Sequence, residues 1–219
     1  MAARALEGPP EPARSVFRSP YVWAFFAGIV LLTLIRPVLR REPAPPPVLG
    51  QLPEFRLTAS RGGAFGTAEL EGQVYVTSFF FTRCLSICPL LTAAMGRLQQ
   101  RYDEAGIEGV RLVSISVDPE YDTPERLRKY GEVHGVDPRR WTLLTGEADE
   151  IRRLVVEGFR TPLGEPETSG DLVEIAHTGK LVLVDGRGAI RGYYASDATG
   201  LDEVYHRSRH ILRESRHER

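Results

Sequence analysis

The sequence predicts an α/β fold: a mixed sheet flanked by helices, with one N-terminal transmembrane helix ahead of it. Three observations predict it. Residues 73–81, a β-branched and aromatic run, and residues 109–118, a second apolar run, each lead into a helical pattern, which is how strands covered on both faces read. Residues 180–184 and 189–194 flank the turn Asp185-Gly186-Arg187-Gly188 and read as a plain hairpin. Far upstream, "SPYVWAFFAGIVLLTLI" (residues 19–35) carries no charge between Arg18 and Arg36.

Residues 1–18, rich in Pro, Ala, Glu and Arg without an apolar period, read as a disordered tail. Residues 19–36 read as an uncleaved transmembrane anchor, because about 17 uncharged residues reach the lower limit for a helical span. Tyr21 and Trp23 suit the membrane interface, and no small-residue cleavage site follows, since the run continues into "RPVLRRE". Glu7 and Glu11 weigh against a mitochondrial presequence. Arg4, Arg14 and Arg18 before the span balance Arg36, Arg40 and Arg41 after it, so the positive-inside rule assigns no orientation. Residues 37–51, with three consecutive prolines at 45–47, read as a stiff linker, and the globular domain is expected over 52–219.

Within that domain, "EFRLTA" and "AFGTAEL" around Arg61-Gly62-Gly63 predict a small hairpin. The strand at 73–81 is followed by a helix from Pro89 to about Ala105, with Leu91, Met95 and Leu98 as its apolar stripe. After the strand at 109–118, Thr123 is the expected N-cap and Pro124 the first residue of a second helix. "RWTLLTG" is a third strand and "EADEIRRLVVEGF" a third helix; a loop containing Gly, Pro and Ser leads to the final hairpin, and "GLDEVYHRSRHIL" closes the chain as a helix. This order fits a thioredoxin-like sheet, in which ligands gather beyond the carboxyl ends of the strands.

The 219 residues are 42% hydrophobic and 26% charged with a formal net charge of -1. That composition buries a core without disulfide support and offers no basic field, so no nucleic acid is expected as a partner. The only two cysteines, Cys84 and Cys88, lie in "TSFFFTRCLSICPLLTAAM", just past the first central strand. Three readings compete. As a local staple, a disulfide closing so short a loop would stabilise little. As a redox pair, Cys88 sits before a helix N-terminus, where the dipole favours thiolate, and the turn reads as polar and partly exposed. As metal ligands, two thiolates suit copper or zinc and call for a third donor. His134 ends a helix, and His206, His210 and His217 lie in a charged C-terminal helix and tail; His177, in the loop entering the final hairpin, is the histidine placed to approach the cysteines.

Taken in order, "FFFTRCLSICPLL", "SISVDPEYDTPERLRKY" and "AHTGKLVLVDGRG" resemble the Sco/SenC family of copper-binding assembly proteins, from about Leu52 to the C-terminus. The resemblance implies a membrane-anchored thioredoxin fold that binds copper, Cu(I) or Cu(II), through Cys84, Cys88 and His177. It places an acidic pair, Asp118 and Asp122, beside the site; helix capping and turn geometry ahead of Pro124 are the other roles open to them. Leu85, Ser86 and Ile87 between the cysteines, and Ala176 before the histidine, stand where relatives often carry acids.

Its implied function is a copper chaperone, not a classical enzyme, that delivers copper to the dinuclear site in the copper-binding subunit of cytochrome c oxidase. Its implied location is the bacterial cytoplasmic membrane, single-pass, anchored in lipid, with the domain facing the periplasm. Other copper chaperones or thioredoxin-like reductants are further partners the reading admits. The alternative is a periplasmic thiol-disulfide oxidoreductase using the same cysteines. A copper- or peroxide-responsive sensor is a third reading by analogy of fold.

Overall fold

The structure, a computed structural model, describes residues 19–39, 45–169, 172–177 and 179–217, without the side chains of 37–39, 166–169, 172–174, 176–177 and 216–217. Two units separate at residues 44 and 45. In the first, α1 (Pro20–Leu39) is a 20-residue helix. Its large apolar side chains from Trp23 to Ile35, and Tyr21 before them, are exposed. Among the described residues no helix is long and apolar enough to cross a membrane, so a helix is found at the expected place and a span is not established by it. The expected disordered tail, 1–18, lies outside the described residues.

The second unit is built on an eight-stranded mixed sheet. Its strands are β1 (Gly50–Gln51), β2 (Arg56–Ala59), β3 (Ala64–Gly66), β4 (Val74–Phe80), β5 (Val110–Ser116), β6 (Trp141–Thr145), β9 (Lys180–Val184) and β10 (Ala189–Ala195). A separate ribbon pairs β7 (Leu163–Ser169) with β8 (Leu172–His177). The sheet order is β1-β10-β9-β4-β5-β6-β2-β3, with β4, β5 and β6 parallel and β9 antiparallel to β4. Every residue of β4 is buried. Alternate residues of a strand point to opposite faces, so both faces of its centre are covered. On one face Phe80 lies against Tyr130, with ring centroids 5.3 Å apart; on the other Phe79 meets Phe159 edge-on at 5.1 Å.

The helices are α2 (Thr67–Leu70), α3 (Cys88–Glu104), α4 (Pro124–Val133), α5 (Ala148–Arg153) and α6 (Ala198–His217). Thr123 caps α4 as expected, its hydroxyl accepting from Arg126 N at 3.3 Å. One π-helical turn, Leu154–Gly158, continues α5.

Three parts of the sequence reading need correction. The stretch before the last hairpin is a strand pair, β7–β8, so His177 ends a strand. The ribbon was missed because Pro166 and the glycines at 164 and 170 read as loop formers. The short helix α2 was also missed; its Glu69 carboxylate accepts from Gly66 N at 2.7 Å.

The third concerns residues 45–51, which pack on the domain. Pro46 is buried and its carbonyl accepts from Arg191 Nε at 2.8 Å, Leu49 N donates to Ile190 O at 2.8 Å, and β1 pairs with β10. Arg191, only 10% exposed, also pairs with Asp185 at 2.8 Å and Glu214 at 3.2 Å. Asp185 lies 6 residues before Arg191, Glu214 lies 23 after it and Pro46 is 145 residues away, a grouping beyond the reach of local pattern reading.

Polar groups in the core are paired across strands: Ser78 Oγ and Ser114 Oγ are 2.7 Å apart, and Trp141 Nε1 donates to Ser114 Oγ at 2.9 Å. Thr77 and Thr145 are exceptions, since among the described residues neither hydroxyl has a partner. A buried hydroxyl without a partner costs free energy that an isosteric methyl does not. Thr77→Val is therefore expected to raise stability by about 1 kcal/mol in urea unfolding. A loss of stability in that variant would mean that the hydroxyl is hydrogen-bonded after all.

Candidate functional site: a cysteine loop braced by two aspartates

β4 delivers the chain to the carboxyl end of the sheet, where Thr82 and Arg83 lead into the cysteine loop. Pro89 falls in the first turn of α3, a position that needs no backbone donor and suits its fixed φ, so the loop ends in a helix whose first residue is Cys88. Both cysteines are buried, Cys84 at 6% exposure and Cys88 at 1%, and no disulfide joins them. This corrects the expectation of a partly exposed pair.

The two thiols are not equivalent. Burial by itself would raise Cys84, but hydrogen bonds from the Cys88 thiol and the Ser86 hydroxyl, with backbone bonds from the same residues, outweigh it and hold Cys84 below the usual thiol range. Its sulfur lies 3.5 Å from Ser86 Oγ. Cys88 goes the other way: burial pushes its thiol up, and the hydrogen bond and charge of Cys84 add to the rise. The helix terminus was expected to favour a Cys88 thiolate, and burial outweighs it.

Asp118 and Asp122 reach this loop from the connection between β5 and α4. Neither serves as the side-chain cap of α4, a role taken by Thr123. Asp122, with no exposed surface, accepts from Thr82 N at 2.9 Å, from Ser116 Oγ at 2.5 Å and from the Thr82 hydroxyl. Burial raises its carboxyl above the usual range against the pull of those hydrogen bonds, and the charge of Asp118 adds to the rise. Asp118 accepts from Arg83 Nε at 2.6 Å. The Arg83 guanidinium also lies 4.6 Å from the centroid of the Tyr121 ring, and that of Arg126 lies 4.0 Å from the same centroid. The two residues immediately before Cys84 are therefore each tied to a carboxylate some 35 to 40 positions along the chain.

His177 closes β8, paired in register with Leu163. Its side chain lies outside the described residues. The backbone after it does reach the cysteine loop. β9 lies antiparallel to β4 with Val182 opposite Thr77, so β9 starts beside the end of β4, and Gly179 packs against Ile87. Of the other histidines, His134 is the C-cap of α4, exposed, its ring 4.2 Å from that of Tyr130, while His206 and His210 lie on α6. Cavities of about 580 and 570 Å³ lie around the turn at 185–188, at the far end of β4 from the cysteines. Chemistry at the cysteines would therefore take place on a surface loop and not inside either of these cavities.

Thr82, Arg83, Ser116 and Gly179 were not singled out from the sequence, and Ile87 was noted there only as an uncharged residue between the cysteines. Their roles come from contacts between distant segments, and no local spacing announces them.

The family model described as SCO1/SenC matches residues 48–213. The chain belongs to the SCO1/SenC family. Among the relatives of this SCO1/SenC chain, the SCO1 protein homolog of Bacillus subtilis (strain 168) is 30% identical over 161 residues, covering 72% of this chain and 81% of that protein. A relative from Stutzerimonas stutzeri, provisionally named a copper-binding protein, is 32% identical over 147 residues, or 65% of this chain and 68% of its own. Among solved structures, BsSco, described as a member of the Sco family of cytochrome c oxidase assembly proteins with a disulfide switch, superposes with a TM-score of 0.68 at 28% identity. It covers 78% of this chain and 98% of its own. The mixed sheet flanked by helices is the thioredoxin-like fold of that family.

Proposed function

We propose that this SCO1/SenC chain is a membrane-anchored copper chaperone. It takes copper on Cys84, Cys88 and His177 and hands it to the dinuclear copper site of cytochrome c oxidase during assembly. The observation that carries the reading is the pair of mutually hydrogen-bonded thiols on a braced surface loop, with the chain from His177 arriving beside it at Gly179. Two sulfurs and an imidazole suit copper in either oxidation state. Three ligands leave room for an acceptor's ligand to enter before a donor's leaves. BsSco's place among oxidase assembly proteins and the copper-binding name of the Stutzerimonas stutzeri relative agree with this cargo and acceptor.

The anchor is α1. Its described side chains end at Arg36, but its helical backbone continues to Leu39, and 20 residues rise about 30 Å, the thickness of a bilayer core. Its exposed apolar surface calls for lipid around it, and the domain would face the periplasm of a bacterial cytoplasmic membrane. Release of the chain from membranes by alkaline carbonate would remove the anchor from this reading.

The deciding experiment is copper titration of the reduced full-length chain in detergent beside His177→Ala. Wild type is expected to bind one equivalent with thiolate-to-copper charge transfer and nitrogen hyperfine structure in the Cu(II) electron paramagnetic resonance spectrum. His177→Ala should lose the nitrogen signal and about 100-fold in affinity or more. Equal binding by both forms would exclude His177 as a ligand.

The inequality of the two thiols favours one second reading, a thiol-disulfide oxidoreductase. The Cys84 thiolate would attack a substrate disulfide and expel one substrate thiol. Cys88 would then lose its proton and displace the other, leaving Cys84–Cys88 oxidised by two electrons and the substrate reduced by two. Brisk turnover of a disulfide substrate with weak copper binding, both indifferent to His177→Ala, would favour this reading.

A further inference from the structure

We propose that Ile87 and Gly179 form a spacer contact that sets how closely the histidine-bearing strand approaches the cysteine loop, and that position 179 must stay small, without a β-branched side chain, for that approach. The inference rests on the reading of His177 as a copper ligand. A Cβ placed on Gly179 would lie 2.4 Å from Ile87 Cδ1 and 3.4 Å from its Cγ1. The first separation is far inside van der Waals contact. The backbone at 179 is not in the left-handed region, so what matters at this position is space and not conformational freedom.

Both sides of the contact have fixed bases. Ile87 is the N-cap of α3, its carbonyl accepts from Leu91 N at 3.0 Å, and Cys88 is the next residue. Gly179 lies between the Leu163–His177 pair that ends β8 and Lys180, which opens β9. The register of β9 against β4 is held by Val182 opposite Thr77. A side chain at 179 has two ways to fit. The Ile87 side chain, 37% exposed, can swing towards solvent, or the strand end can lift away from the cysteines. Alanine allows the first. A β-branched residue fills the space where Ile87 sits and forces the second, which carries His177 away from the sulfurs. Gly179 and Ile87 are thus positioning residues that act through the histidine.

The test compares G179V, I87A and the double variant in the reduced full-length chain. G179V should bind copper about tenfold more weakly than wild type, with a weakened nitrogen hyperfine signal and retained thiolate-to-copper charge transfer, a smaller loss than that of His177→Ala because the imidazole is displaced and not removed. I87A alone removes one side of the spacer and should weaken copper binding by about threefold, and the double variant should bind as I87A does and not as the product of the two losses, a non-additive result expected only of residues in contact. Independently of metal, the reduced chain should give a nuclear Overhauser effect between the Ile87 δ-methyl and the Gly179 α-protons. If G179V does not fold, G179A is read by the same Overhauser effect, which should weaken as Ile87 swings out. Wild-type copper binding by G179V, no rescue by I87A, or no Overhauser effect in the wild type would overturn the proposal. Where H177A weakens copper binding and G179V does not, only the spacer role fails; where H177A also binds as wild type does, the ligand reading fails with it.

Discussion

Cys84→Ser is expected to weaken Cu(I) binding by roughly a thousandfold, the share of one good ligand in a multi-ligand metal site. Serine is a hard donor that stays protonated near neutrality, so it replaces neither the softness nor the charge of the thiolate. Cys88→Ser should cost a similar amount, and competition against a chromophoric Cu(I) chelator reads both. The two variants should differ in pH dependence, because their thiols differ. Copper needs the deprotonated sulfur, so protons compete with it and affinity rises with pH, by up to about tenfold per pH unit for each thiol still protonated. Cys88, whose thiol is pushed up first by burial and then by Cys84, supplies most of that slope across the neutral range. Cys84, held below the usual thiol range, supplies less. Cys88→Ser should therefore flatten the pH dependence, whereas Cys84→Ser should retain it. Affinity within about threefold of wild type in either variant would remove that sulfur from the site.

Asp122→Ala should destabilise the domain by roughly 3 kcal/mol and weaken copper binding by about 10-fold to 100-fold. The carboxylate receives Thr82 N, the Thr82 hydroxyl and Ser116 Oγ in a place with no exposed surface, and alanine leaves these donors without their acceptor. Thr82 is two residues from Cys84, so the loss of stability and the loss of affinity share one cause. Asp122→Asn keeps the shape and one acceptor oxygen and should fall between the two. The ionised Asp122 is the form that burial penalises, so its folded pKa lies above the ordinary carboxylate value. Sign follows from that: wild type loses stability relative to Asp122→Asn as pH rises from the ordinary carboxylate range through the raised pKa, and the gap stays constant outside that window. Urea unfolding at a series of pH values measures it. An Asp122→Ala domain that unfolds as wild type does and binds copper equally well would leave the brace with no role.

Most elements of the sheet were legible because their causes are local. β4 shows as a β-branched and aromatic run, β5 as a Val-, Leu- and Ile-bearing run, α4 as Thr123 ahead of Pro124, and the last hairpin as two apolar runs around Asp185-Gly186-Arg187-Gly188. The β7–β8 ribbon was not legible, because Pro166 sits inside a strand of a two-stranded ribbon, which leaves room for it away from the central sheet. β1 was hidden for a related reason: two residues after a proline run carry no period, and only pairing with β10 makes them a strand.

By itself, the sequence determined the two cysteines at a strand-to-helix turn and the family to which they belong, because both are written in short contiguous motifs. Only the tertiary structure decided that the thiols are buried and unequal, that Asp122 braces Thr82 while Thr123 caps the helix, and that Gly179 meets Ile87. Each of these depends on groups brought together from distant positions, where burial and hydrogen bonding act through space and leave no trace in the spacing of residues along the chain.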